Sequence, residues 1–204
     1  MTAVNGARVH NSRLAGIPGW QGAGRRPLSD ERAVPFGADD PGGALRTLVL
    51  GVGNSLLTDE GTGVHVVAYL AREYPDLAGV TYLDGGTLSF TLAGPIEDHD
   101  ALIVVDAAQL GAPPGTVRVF EGTEMDRFLG RAKLSVHEVS LVDLMDIARL
   151  TDHLPARRAI VGVQPAEVGW GSEPTPEVAR AVPDAAERVL GLIRTWQAEA
   201  AASA

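Results

Sequence analysis

The sequence predicts a three-layer α/β protein: a mostly parallel, twisted sheet of about five strands with helices on both faces. Three observations carry that expectation. Residues 101 to 106, Ala-Leu-Ile-Val-Val-Asp, form an unbroken apolar run typical of a central parallel strand covered on both faces, and it ends on a carboxylate. From Leu45 onward, short apolar runs alternate with stretches of helical period, an order β-α-β-α-β that implies right-handed crossovers. Proline and glycine punctuate the joints, as at Tyr74-Pro75 and Gln164-Pro165.

Taken in order, residues 1 to 44 are rich in Gly, Pro, Ala and Arg and show no sustained period, which reads as a flexible extension. The first strand spans about 46 to 52. It opens the stretch 48 to 64, Leu-Val-Leu-Gly-Val-Gly-Asn-Ser-Leu-Leu-Thr-Asp-Glu-Gly-Thr-Gly-Val, a strand, a Gly-Asn turn and the entry to a helix. That helix, about 60 to 73, carries Val64, Val67, Ala68, Leu70 and Ala71 at helical spacing. A second strand at about 79 to 83 feeds the turn Asp84-Gly85-Gly86-Thr87 and a short helix that Pro95 stops. After the central strand, residues 116 to 121 alternate Val117 and Val119 against Arg118 and Phe120, which suggests a half-exposed, antiparallel strand near an edge. A polar stretch runs to Lys133. Ser135 and Glu138 have capping-box spacing, so the next helix is expected to open there with His137 in its first turn. A strand at 158 to 163 and a final helix from about Pro176 to Ala200 complete the chain.

With 204 residues and 45% apolar composition, the chain can bury one core, giving a single domain over 45 to 200, with 201 to 204 as a tail. A net charge of −9 argues against a nucleic-acid partner. Cysteine is absent from all 204 positions, which excludes disulfides, thiolate zinc sites and cysteine nucleophiles. No run approaches the roughly 20 apolar residues of a membrane span. Arg25-Arg26 lacks the apolar segment of a twin-arginine signal, so the cytoplasm is the expected location.

In a parallel sheet the carboxyl ends of the strands share one rim, where sites are built. Three ionisable groups fall on it: Glu60 after the first strand, Asp106 at the tip of the central strand, and His137. Two carboxylates and an imidazole suit a first-row divalent metal with positions left open, which would support hydrolysis without a side-chain nucleophile. Each residue also has a plainer reading: Glu60 as a helix N-terminal acid, Asp106 as a turn cap, His137 as an exposed histidine. Asp59 competes with Glu60, and Asp84 is a further rim acid that would orient a ligand. His65, His99 and His153 read as structural or exposed. Gly51-Val-Gly53-Asn54 lacks the third glycine of a dinucleotide fingerprint, and His137-Glu138 lacks the second histidine of a zincin helix. No nucleophile elbow and no phosphate-binding loop ending in Lys-Ser/Thr occurs.

Five blocks resemble the nickel-iron hydrogenase maturation endopeptidases, in order, from about 46 to 195: Gly51 through Val64 with Asp59-Glu60-Gly61, Asp84-Gly85-Gly86-Thr87, Ile-Val-Val-Asp106-Ala, Ser135-Val-His137, and Gly162-Val-Gln164-Pro165 with Trp170-Gly171. The leader 1 to 44 is outside that pattern. The resemblance implies a protease of aspartic type that removes the C-terminal extension of a hydrogenase large subunit after nickel insertion. It also implies that the family's metal-contacting acid, second acid and histidine fall on Glu60, Asp106 and His137. Nickel is then expected to arrive with the large-subunit precursor, with another divalent metal an acceptable substitute. A non-catalytic nickel-checking chaperone is the alternative expectation, and a flavodoxin-like nucleotide module the third.

Overall fold

The structure, a computed structural model, describes residues 45–130 and 140–203. Among the described residues the α-helices and strands follow in the order β1 (Thr47–Val52), α1 (Thr62–Glu73), β2 (Val80–Gly86), α2 (Ala93–Glu97), β3 (Ala101–Ala107), β4 (Val117–Glu121), α3 (Thr123–Leu129), α4 (Leu141–Leu150), β5 (Arg157–Val163) and α5 (Pro176–Ser203). The five strands lie in the order β2-β1-β3-β5-β4, all pairs parallel except β4 with β5. The mostly parallel α/β sheet expected from the sequence is therefore the fold, with β3 at its centre and the antiparallel β4 at an edge.

Strand alternation sorts the core into two layers. Val49, Ile103, Val105, Ala159, Val161 and Val163 face α1 and α5, with Val66, Leu70, Val189 and Ile193 among the residues that meet them. Leu48, Leu50, Leu102, Val104 and Ile160 face the other way, onto Ile96, Met125, Leu144 and Met145. A strand buried on both faces can carry only apolar residues along its length, which is why 101 to 105 reads as an unbroken run.

Several expectations need correction. The buried face of α1 is Gly63, Val66, Val67 and Leu70, while Ala68 and Ala71 point to solvent. The strand β2 runs on through Asp84-Gly85-Gly86, because Gly51 and Val52 extend far enough to pair with it. Pro95 sits in the first turn of α2, where its missing N–H has no helical acceptor to lose, so it does not stop the helix. Within the stretch read as polar, α3 forms, with Met125, Phe128 and Leu129 on one side and Gly122 (φ 51°) making the abrupt entry from β4. The helix expected to open at Ser135 has its cap at Ser140. Ser140 is extended (φ −97°, ψ 160°), and the box closes between Ser140 and Asp143. His137 thus precedes that cap, and Ser135, His137 and Glu138 lie outside the described residues.

Candidate functional site

The chain leaves β1, passes through α1 and returns beside β1 as β2, whereas β3 takes β1's other edge. The switch between β1 and β3 opens a crevice beyond their carboxyl ends, the place where such sheets hold ligands. The loop that follows β1 is drawn into this crevice by glycines. A Cβ on Gly51 would stand 2.4 Å from the Gly63 carbonyl oxygen, and one on Gly63 would stand 2.1 Å from that of Val105. Only hydrogen at both positions lets the start of α1 rest directly on β1 and β3. Gly53, at φ +133°, brings the turn so near that a Cβ would meet the Glu60 carbonyl oxygen at 1.9 Å, and its N–H donates to Gly86 O at 2.8 Å.

Asp59, Glu60 and Gly61 form a single 3-10 turn between that loop and α1. The half-buried Glu60 accepts a hydrogen bond at Oε2 from Asn54 N–H at 3.2 Å, which holds its carboxylate over the strand end. Asn54 is fixed in turn, its Oδ1 accepting from Leu56 N–H at 3.0 Å. Asp106 lies one residue beyond the last pair that β3 makes with β1, opposite Gly162 of β5. Burial pushes its carboxyl up to about 7; the negative charge of Glu60 adds to the rise, and a hydrogen bond from the Ala107 backbone opposes it. The two predicted acids therefore feel each other across the crevice. His137, the third, lies outside the described residues.

The remaining acids do other work. Asp59 is fully buried and spends both oxygens on the loop after β5. Oδ2 accepts from Ala166 N–H (2.8 Å), Glu167 N–H (2.9 Å) and Thr175 Oγ1–H (3.0 Å), and Oδ1 from Thr175 N–H (2.6 Å). The sequence presents Asp59 only as a rival of Glu60 and gives no sign of this tie. The neighbouring Thr58 hydroxyl also bonds that loop, donating to Glu167 O at 2.8 Å. Asp84 is exposed and accepts Gly86 N–H at 2.9 Å, closing the end of β2. Gln164, buried at the end of β5, accepts from Leu110 N–H at 2.8 Å and donates to Gln109 at 3.2 Å, bracing the loop after Asp106. Among the histidines, His99 bonds Thr81 and Pro95, and His153 bonds Thr151. His65 is shielded in α1, and desolvation lowers its pKa.

Chemically, the pair offers one carboxylate and one carboxyl whose proton exchanges near neutrality, a combination able to accept and return a proton. Two carboxylates also suit a divalent cation, whose charge would favour the ionised form of both. Among the described residues no group of three or more His, Cys, Asp or Glu is gathered, so the pair supplies two protein donors.

A mostly parallel α/β sheet with two acids at the switch point between β1 and β3 defines an α/β protein with a candidate site at its strand ends. Residues 64–192 match the family model described as hydrogenase maturation protease. The chain belongs to the hydrogenase maturation protease family. It is 37% identical over 159 residues to the Hydrogenase 2 maturation protease of Escherichia coli K12, covering 76% of this chain and 95% of that one. To a hydrogenase expression/formation protein, HupD, of Rhizobium leguminosarum bv. viciae it is 37% identical over 164 residues, 80% and 81% of the two chains. The solved hydrogenase maturating endopeptidase HybD from E. coli superposes with a TM-score of 0.68 at 36% identity, over 74% of this chain and 93% of that one. Asp106 and His137 fall within the matched range, and Glu60 stands four residues ahead of it.

Proposed function

We propose that this protein is the endopeptidase that removes the C-terminal extension of a nickel-iron hydrogenase large subunit once nickel has been inserted. Glu60, Asp106 and His137 together read the nickel. The observation that carries this reading is the coupled pair Glu60 and Asp106 at the β1/β3 switch point in a member of a protease family. Nickel belongs to the substrate here, held by the precursor near the scissile bond, and the two carboxylates and the imidazole complete its surroundings. Only loaded precursor then docks in register. Asp106, whose ionised form the nickel charge favours, takes the proton of the attacking water as the water oxygen adds to the scissile carbonyl carbon. When the C–N bond breaks, the same proton passes to the departing amine, so the carboxyl ends as it began. The setting is the compartment in which the large subunit is assembled, the cytoplasm.

The direct test mixes purified protein with nickel-loaded and nickel-free precursor and follows the tail by mass spectrometry. Cleavage of the loaded form alone is expected, with Glu60→Gln and His137→Ala each abolishing it. Equal cleavage of both forms would sink nickel gating. Tight binding with no cleavage would assign the protein a checking role without catalysis.

A further inference from the structure

The loop after β1 and the loop after β5 meet as a small two-stranded flap on the rim. Leu57 and Trp170 form an antiparallel bridge, Thr58 N–H donates to Gly169 O at 2.9 Å, and Gly171 N–H donates to Leu56 O at 3.0 Å. The buried carboxylate of Asp59 ties the flap down through the bonds described above. Three of its large apolar residues stand in water: Leu56 is 62% exposed, Val168 55% and Trp170 87%. Apolar groups fixed in this way add nothing to the stability of the isolated chain, and clusters of them mark interaction surfaces. Their position decides the occupant. Thr58 and Asp59 run directly into Glu60, so the flap is continuous with the loop that carries one of the two carboxylates, and a polypeptide bound at that carboxylate has the flap as its neighbour along the rim.

Resting on the proteolytic reading above, we propose that Leu56, Val168 and Trp170 are the docking surface for an apolar segment of the large-subunit precursor next to its scissile bond. A fixed, exposed Trp is the kind of anchor that dominates such contacts, giving large area for little ordering cost. The flap contributes to holding the chain and not to breaking the bond, so its loss falls on affinity.

The test uses the full chain and the nickel-loaded precursor. The triple variant Leu56→Ser, Val168→Ser, Trp170→Ala is compared with the wild type for rate against precursor concentration, and each protein alone is run in the analytical ultracentrifuge. The triple variant is expected to melt as the wild type does, because the three side chains are exposed, and to raise KM about tenfold or more with kcat within about twofold. Leu150→Ser, at an 88% exposed position on the last residue of α4, is expected to change neither. An unchanged KM in the triple variant, with an active wild type, overturns the docking surface and leaves the proteolytic reading intact. A wild type that cleaves no loaded precursor overturns both. Wild-type dimers that the triple variant dissolves would assign the flap to a second copy of this chain and overturn the precursor as its occupant.

Discussion

Asp106 pays for its position in stability. In the unfolded chain its carboxyl ionises at the ordinary 3.8, whereas in the folded protein burial and Glu60 raise it to about 7. Between those two values the folded state holds the proton more tightly, so stability falls as pH climbs from about 4 to about 7 and then levels off. A rise of about 3 units at ~1.4 kcal/mol each sets a ceiling of about 4 kcal/mol. Asp106→Asn, which cannot ionise, is expected to be little different from wild type in stability near pH 4 and more stable by a few kcal/mol near pH 8, while losing processing. Urea unfolding of the free protein at both pH values checks it; a difference independent of pH would remove the account. At this scale the acids were legible but their division of labour only in part. Glu60 and Asp106 announce themselves as carboxylates placed after apolar strands. The partners of Asp59 lie 107 to 116 residues further along the chain, and no local pattern can point across that distance.

Elements were read best where burial dictates composition and worst where short polar segments had to be weighed against one another. β1, β3 and β5 follow from runs too apolar to be anything but interior. The helix α3 escaped because only seven residues form it and four of them are Thr123, Glu124, Asp126 and Arg127. Met125, fully buried, carries its packing and is worth about 1.5–3 kcal/mol. The start of α4 was misplaced because the sequence offers the same signal twice, Ser135 with Glu138 and Ser140 with Asp143. The second box closes: Asp143 N–H donates to Ser140 Oγ at 3.2 Å, and Ser140 N–H donates to the Asp143 carboxylate at 2.8 Å. Ser140→Ala is expected to cost about 1 kcal/mol, seen as a lower urea midpoint at unchanged slope. An unaltered midpoint would show that the box adds nothing to α4.

For the molecule as a whole, topology is what turns scattered acids into a site. Strand order 2-1-3-5-4 brings the ends of β1 and β3 together at the switch, and the alternating sequence pattern was enough to expect a shared rim there. What the pattern could not supply is which loops from further along the chain close over that rim, since exposed loops carry no period. Glu60 and Asp106 offer two carboxylates at that rim, and nickel that arrives with the precursor would leave with it. Protein purified alone is expected to hold well below one equivalent of nickel by elemental analysis, and to retain nickel only in complex with loaded precursor. A stoichiometric, chelator-resistant metal in the free protein would instead make it a resident cofactor.

The tie between Asp59 and Thr175 also sets a schedule. During synthesis the strands β1, β2 and β3 can pair as they emerge, but Asp59, beside Glu60, lacks its partners until residues 166 to 175 have been made and the last strand laid down beside β3. A chain cut short before that point carries every strand-end acid of the proposed pair and none of the tie that fixes their loop. The tie that Asp59 makes is therefore among the last contacts that the chain can form.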